Sequence, residues 1–312
     1  MNNNYPKISI IMPVYNAAET VQLSIKSVLN QTYQDFDFII INDGSTDSSE
    51  NIILSFNDNR IKYFKIPHKG LSSALNYGLS HTFTKHIARI DSDDLFFKDK
   101  LMKQMDYLLN NPEIDIIFTW SIFYKNSEFL RFWKSPEFNN EIKNKLKYLN
   151  PINHSSVVFK RDVISKLSGY NEDIDTYEDY ELWLRASKTA VFHCLPEYLV
   201  FSKLKEKNVN RKFNAELVKV LYEKNENTFP PNKKETNDLL GRIEYYYGDV
   251  KKAYKLLLKG HIINNFYLLW CSIIVGNSSG KIRGNKLSLF FSKDIIKSAY
   301  YRDILKSMTS EN

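Results

Sequence analysis

The sequence predicts an α/β fold, a mostly parallel sheet flanked by helices with a helical extension behind it. Three observations predict it. Strand and helix signals alternate through the first third of the chain, the pattern of a parallel sheet built from crossover units. The second of those strands, Phe36–Ile41, is a near-continuous apolar run, as expected of a strand covered on both faces. Beyond about Lys203 the strand signals vanish and polar helical segments take over.

Taken in order, Lys7–Met12 is a β-branched strand closed by Pro13. Ala18–Leu29 follows as a helix, with Val21, Ile25, Val28 and Leu29 at helical spacing. Phe36–Ile41 ends in Asn42-Asp43-Gly44-Ser45-Thr46-Asp47, a turn whose Asp47 is placed to cap a helix over Ser48–Phe56. Ile61–Lys65 is a third strand and Leu71–His81 a third helix. The fourth strand begins at His86 and runs into three carboxylates at Asp91-Ser92-Asp93-Asp94. Lys100–Leu109 reads as a helix and Ile114–Thr119 as the fifth strand. Phe129–Asn150 is aromatic and basic with poor periodicity, which suits a loop and helix beside the site. His154–Lys160 reads as a strand, Asp162–Leu167 as a short helix, Tyr180–Ser187 as a helix introduced by Glu178-Asp179, and Ala190–Leu195 as a strand. Three antiparallel helices are expected over Phe213–Asn225, Thr236–Gly248 and Val250–His261, the last two resembling a single tetratricopeptide hairpin without its repetition. Phe266–Val275 is apolar but short, and Phe290–Met308 has the composition of a basic amphipathic helix.

Composition bounds the function. An apolar fraction of 43% and a charged fraction of 25% are those of a soluble globular chain. No run of about eighteen apolar residues predicts a membrane span, and the first residues lack the features of a signal peptide. Cys194 and Cys271 are far apart in apolar contexts, without metal-ligand spacing, and read as buried thiols of a reducing compartment. A cytoplasmic protein is expected. Charge is uneven: from Lys203 to Asn312, 21 Lys+Arg face 11 Asp+Glu, whereas the residues before carry 22 against 25. A basic rear half suits an anionic partner such as the inner face of a membrane. Nucleic acid is not expected, because the basic excess is interleaved with acids and no recognition motif accompanies it.

The acidic turn lies where open α/β sheets bind ligands, at the carboxyl end of a strand. Like charges packed together call for a cation or a proton, and an Asp-x-Asp pair of hard oxygens suits Mg²⁺ or Mn²⁺ shared with substrate phosphates. A solvated turn leading into a helix cap is the alternative. Neither a glycine-rich dinucleotide loop nor a Walker A motif occurs. Any pyrophosphate must then be held by another route, and a divalent cation on Asp91 and Asp93 is one.

An ordered series of motifs extends this reading. Ile10-Ile11-Met12-Pro13-Val14-Tyr15-Asn16, Gln31-Thr32-Tyr33, Asn42-Asp43-Gly44-Ser45-Thr46-Asp47, Gly70-Leu71-Ser72-Ser73-Ala74-Leu75-Asn76 and Asp91-Ser92-Asp93-Asp94 are followed by His154, Gly169-Tyr170 and Glu178-Asp179-Tyr180-Glu181-Leu182-Trp183-Leu184-Arg185. Over roughly residues 6–202 the chain resembles glycosyltransferase family 2. The resemblance implies the GT-A fold, a Rossmann-like, mostly parallel sheet flanked by helices. It implies a domain over 1–202, with a nucleotide-binding part to about 120 and an acceptor part over 121–202, and leaves 203–312 as a basic helical extension. The implied reaction is inverting transfer of a sugar from a nucleotide donor, commonly UDP-linked, to a hydroxyl of a glycan or lipid-linked oligosaccharide in surface-polysaccharide synthesis.

Site residues follow from the matched positions. Pro13, Tyr15, Asn16, Asp43 and Asn76 are expected to bind the nucleotide-sugar, with Asp43 accepting hydrogen bonds from the base or ribose. Asp91 would contact the ribose and Ser92 bind the nucleotide-sugar, and Asp93 with Asp91 would ligate Mn²⁺ or Mg²⁺. Asp94 is expected to cap a helix or support the turn. Asp179 is the candidate base, since single displacement needs a carboxylate to take the acceptor's proton. Glu178, His154 and Trp183 are candidates for acceptor or donor-sugar contact. Three departures stand out: Asn42 where an Asp is common, Leu75 where many relatives carry Arg, and no histidine in Phe201-Ser202-Lys203-Leu204-Lys205, where Lys203 or Lys205 could face phosphate instead. Two other functions fit paired carboxylates on an α/β sheet. A nucleotidyltransferase would show a glycine- and lysine-rich loop after the first strand, unlike Pro13–Asn16; a non-catalytic binding module would neither hydrolyse nor transfer a nucleotide-sugar.

Overall fold

The computed structural model describes residues 7–125, 128–174, 176–203, 216, 218–221, 223, 232–247, 249–260 and 265. They fall into two compact units, one within 7–143 and 151–203, the other within 144–150 and 216–265.

The first unit is built on a nine-stranded sheet: β1 (Ile8–Val14), β2 (Phe36–Asp43), β3 (Ile61–Ile66), β4 (His86–Arg89), β5 (Leu95–Phe96), β6 (Ile116–Lys125), β7 (Glu128–Trp133), β8 (Val158–Lys160) and β9 (Phe192–Lys203). The spatial order is β3-β2-β1-β4-β8-β6-β9-β5, with β7 attached to β6. The first four strands pair in parallel. Beyond them β8 runs antiparallel to β4 and β6, β5 antiparallel to β9, and β7 antiparallel to β6, while β6 and β9 are parallel. The sheet is therefore mixed as a whole, and parallel where the crossover signals were strongest.

Helices α1 (Val21–Leu29), α2 (Ser49–Leu54), α3 (Leu71–Ser80), α4 (Lys100–Asn110), α5 (Asn139–Leu146), α6 (Arg161–Lys166) and α7 (Glu178–Ala186) lie between the strands in sequence. Both faces of β1 are covered. Ile8, Ile10, Met12 and Val14 join Val21, Ile25 and Val28 of α1, Ile53 of α2 and Leu101, Met105 and Leu108 of α4 in one core. On the other face a Cβ at Gly78 of α3 would lie 2.7 Å from Ile11 and 2.9 Å from Ile41. This two-sided burial explains why β1 and β2 read as continuous apolar runs. Pro13 is tolerated because β1 pairs with β4 only as far as Ile11↔Arg89, so its missing N–H falls past the doubly flanked stretch.

Three expectations need correction. Part of Phe129–Asn150 is not loop: β7 folds back on β6 in a hairpin, its register shifting between Phe123 and Tyr124. His154–Lys160 is not one strand. Asn153 caps a 3-10 turn over His154–Ser156, its side chain accepting from Ser155 N, and only Val158–Lys160 joins the sheet. The strand expected over Ala190–Leu195 runs on through Pro196 to Lys203, because register shifts around Trp120 let β9 bulge and then resume pairing with β6.

In the second unit α8 (Lys233–Tyr247) and α9 (Val250–Lys259) form a hairpin. Asp249 caps α9 by accepting from Lys251 N and Lys252 N, and Glu244, 1% exposed, binds Lys219 and Lys252. The helices approach closely at Gly241, where a Cβ would meet Leu257 at 2.7 Å. Most of Phe213–Asn225, all of Phe266–Val275 and Phe290–Met308, and Cys271 lie outside the described residues. Cys194 is buried, its Sγ donating to Leu195 O at 3.6 Å. No helix among the described residues is long and apolar enough to cross a membrane.

Candidate active site

In the order β3-β2-β1-β4 the chain reverses direction of travel beside β1. The crevice at the carboxyl ends of β1 and β4 is where such sheets take ligands. Tyr15 and Asn16 follow β1 there. Asn16 is left-handed, with φ 47°. Its side-chain oxygen accepts from Thr46 N at 2.8 Å, and its own N–H donates to Ser45 Oγ at 3.1 Å. Asp47 accepts from both Ala18 N and Ser49 N at 3.0 Å. The β1 and β2 loops are thus one hydrogen-bonded lattice. Asn42 is buried and uses both ends of its amide, donating to Tyr63 Oη at 2.9 Å and accepting from Ser45 N at 2.9 Å. Tyr63 in turn donates to Glu50 at 3.0 Å. An Asp at position 42 could not donate to Tyr63, which gives the departure a local reason.

Asp43, at the end of β2, is 2% exposed. Lys69 N, Gly70 N and His68 Nδ1 approach its carboxylate at 2.9, 3.0 and 2.9 Å. The loop after β3 is thereby drawn onto β2, and the ring of His68 stacks on Tyr15 with centroids 3.9 Å apart and planes 12° from parallel. Gly44 permits the approach: its φ is 68°, and a Cβ would lie 2.8 Å from His68 N.

The acidic turn is organised by Arg89, which the strand pattern concealed. This guanidinium is 1% exposed and donates to Asp91 Oδ1 at 2.6 Å and to Ser155 Oγ at 3.3 Å. Ser155 Oγ also accepts from Asp91 N at 2.9 Å. Burial opposes the charge of Arg89, and Asp91 more than offsets it, holding the guanidinium above its ordinary range. Tyr124 Oη donates to the Asp93 carbonyl at 3.1 Å. Asp94 does not cap a helix: it is buried and accepts from Ser202 Oγ and Lys203 N, both at 2.9 Å, which secures the end of β9 beneath the turn. Burial, reinforced by Asp91 and Asp93, pushes its carboxyl up to about 8. Lys205 lies outside the described residues.

The opposite wall comes from α7. Its N-cap Tyr177 is left-handed, φ 64°, and Glu178 and Asp179 open the helix, where the positive end of the dipole favours carboxylates. Arg185 holds α7 to the preceding segment, donating to Glu181, to Leu167 O at 2.5 Å and to Gly169 O at 2.8 Å. Asn76 fixes the same segment from α3, accepting from Tyr170 N and donating to Tyr170 O and Glu172 at 2.8–2.9 Å. So placed, Tyr170 Oη lies 2.8 Å from His154 Nε2, and Glu178 lies 3.7 Å from His154 Nδ1. Burial, with the charge of Arg89, pushes His154 down to about 4, so it is neutral. Burial also works against the charge on Glu178, but the charge of Arg89 helps hold that carboxyl below the usual glutamate range. Electrostatic interactions join Arg89 to Tyr170 and Glu178, and Tyr170 to Asp91 and Asp179.

The structure thus joins Asp91 to the buried Arg89 and sets His154 against Tyr170 and Glu178, with Asp179 beside Glu178 at the start of α7, while Pro13, Tyr15, Asn16 and Asp43 lie along the neighbouring strand ends. Ser92 and Asp93 follow Asp91 in the turn. Two candidates stand apart from the crevice. Asn76 holds the 170–172 segment. Trp183 is fully buried, edge-on to His154 at 6.0 Å, so no face is open to stack a sugar. Arg89, Tyr170 and His68 received no role from the sequence. The available signal for Arg89 was a charge inside an apolar strand two residues before the acids; His68 had none, since only the fold carries it to Tyr15.

Asp91 and Asp93 stand one residue apart on the turn, and their hard carboxylate oxygens are of the type a divalent cation completed by phosphate oxygens takes. They do not fit one held by protein alone, for among the described residues no three His, Cys, Asp or Glu groups converge.

Residues 9–168 match the sequence model of the family described as "Glycosyl transferase family 2". The O-antigen biosynthesis glycosyltransferase WbnJ of Escherichia coli is 35% identical over 212 residues, covering 64% of this chain and 82% of its own. An uncharacterised glycosyltransferase of Rickettsia bellii is 31% identical over 68% of this chain, which spans only 32% of that relative's length. Among solved structures, S. aureus TarS in complex with UDP-GlcNAc superposes with a TM-score of 0.63 at 15% identity, over 85% of this chain and 79% of its own. The mannosyltransferase PcManGT of Pyrobaculum calidifontis, in complex with GDP-Man and Mn²⁺, gives 0.58 at 14% identity, over 98% and 85%.

Proposed function

Because this chain belongs to glycosyl transferase family 2 and has the GT-A type of fold, we propose that it moves a hexosyl or N-acetylhexosaminyl group from a nucleotide-sugar, a UDP-sugar in the first instance, to an acceptor hydroxyl with inversion. The acceptor is a glycan or lipid-linked oligosaccharide of surface-polysaccharide synthesis, a reading supported by the likeness to an O-antigen enzyme. The UDP-GlcNAc bound by TarS supports the donor class. The observation that carries the proposal is the buried Arg89–His154–Tyr170–Glu178 network, which ties the Asp91-Ser92-Asp93 turn to the Glu178-Asp179 end of α7.

Each residue has a task in this mechanism. Tyr15, with Pro13 and Asn16, borders the base; Asp91 and Ser92 face the ribose. Asp91 and Asp93 would hold Mn²⁺ or Mg²⁺, which when bound offsets the charge growing on the departing diphosphate. Arg89 keeps Asp91 in place. Asp179 takes the proton of the acceptor hydroxyl as it attacks, and Glu178, its carboxyl held below the usual range with the charge of Arg89, orients the acceptor or donor sugar. The extension with its basic excess would bring the protein to the cytoplasmic face of an anionic membrane. Family membership sets the nucleotidyltransferase alternative aside.

A thermal-shift screen of UDP-, GDP- and CDP-sugars with and without Mn²⁺, followed by assay of nucleoside-diphosphate release with saccharide acceptors, tests the proposal. One nucleotide-sugar should stabilise the protein and be consumed. Binding without consumption in the presence of any acceptor would favour the non-catalytic module.

A further inference from the structure

The ring pair at the end of the crevice bears on which base the donor carries, given the nucleotide-sugar reading on which this step rests. Asp43 is 2% exposed, and three donors already occupy its carboxylate: Lys69 N at 2.9 Å, Gly70 N at 3.0 Å and His68 Nδ1 at 2.9 Å. A carboxylate so enclosed has no open face for a base. His68 stands in the opposite condition. Its side chain is half exposed, and its ring lies flat against the half-exposed Tyr15.

The hydrogen bonds of His68 also set its tautomer. Nδ1 faces Asp43 Oδ2 at 2.9 Å and the Asp43 carbonyl oxygen at 3.1 Å. Both are acceptors, so Nδ1 carries the proton, and an imidazole with its one proton on Nδ1 has Nε2 as an acceptor. Uracil and guanine present a ring N–H at the middle of their pairing edge. Cytosine and adenine present a bare nitrogen there, which repels a second acceptor. A base hydrogen-bonded in the plane of the imidazole would extend the stack begun by Tyr15, and stacking of a base on an aromatic ring is itself favourable.

We infer that His68 is the specificity-determining residue for the base, its Nε2 accepting the ring N–H of uracil or guanine, and that Asp43 is a positioning residue acting through it. This reassigns the base contact from the carboxylate to the histidine it holds.

Calorimetric titration of the full chain with UDP, CDP, GDP and ADP, in Mn²⁺ at mildly alkaline pH, tests the inference. The wild-type protein should prefer UDP to CDP, or GDP to ADP, by about tenfold, the scale of one well-placed hydrogen bond. His68→Phe keeps a ring on Tyr15 and removes the acceptor, so the preference should fall to within about twofold. A preference that survives His68→Phe, or its absence in the wild type, overturns the inference. A second measurement needs no variant: methylating uracil N3 should weaken UDP binding by about tenfold, and equal affinity contradicts the role given to Nε2. If none of the four nucleotides binds the wild-type protein, the nucleotide-sugar reading fails first. If UDP binds and its N3-methyl form binds equally, only this inference fails.

Discussion

Arg89 illustrates how a single buried side chain can organise a turn. Its buried charge is balanced by Asp91 and, at longer range, by Glu178. Removing it leaves those carboxylates without their counter-ion, so Arg89→Met should cost about 3–5 kcal/mol in urea unfolding; a loss below ~0.5 kcal/mol would show that the acids do not depend on it. Asp93→Ala should weaken nucleotide binding in Mn²⁺ by about tenfold or more with little effect in its absence, and unchanged affinity would remove Asp93 from the metal site. At this scale the polar residues at strand ends were legible, because Asp43, Asp91 and Asp179 interrupt or flank apolar patterns. Contacts made across long sequence separations were not: His68 meets Tyr15, and Tyr170 meets His154, only after the loops close.

Among elements, the parallel β1–β4 block and its helices were legible from periodicity alone, since β1, β2 and β4 are buried along their length and α1 and α3 each bury one face. What periodicity lacked was the hairpin of β6 and β7, whose register shifts between Phe123 and Tyr124, and the bulged continuation of β9, whose partner β6 is distant in sequence. Helix α3 sits so close to β1 and β2 that Gly78→Ala would place a methyl 2.7 Å from Ile11. Overpacking there should destabilise by about 1–3 kcal/mol, measured by thermal or urea unfolding; a neutral result would mean the helix can withdraw without loss. On β4, His86 is buried, and its imidazole is pushed down to about 4 from 6.5 by burial, with Lys85 and Lys160 adding to it. A histidine depressed on folding contributes stability that is full above pH 6.5 and is lost as pH falls toward 4. The loss amounts to about 3 kcal/mol. Chemical denaturation against pH should show this slope, and His86→Gln should flatten it; an unchanged slope would assign acid sensitivity elsewhere.

For the whole molecule, the α/β fold was anticipated from the alternation of strand and helix signals, and the helices that follow it in sequence from the disappearance of strand signals near Lys203. The basic excess beyond that point predicts association with vesicles containing anionic lipid, weakening as salt rises; equal sedimentation with neutral vesicles would contradict an electrostatic origin. The central claim concerns the division of labour across the crevice, with the donor held at the acidic turn and the proton removed at α7. Asp179→Asn tests it most directly, with donor affinity and turnover measured on the same preparation. Nucleotide-sugar should bind with unchanged affinity while transfer falls by about 10²–10⁴-fold, the range for loss of a general base. Turnover retained within about twofold in that variant would contradict the assignment of Asp179 as the catalytic base.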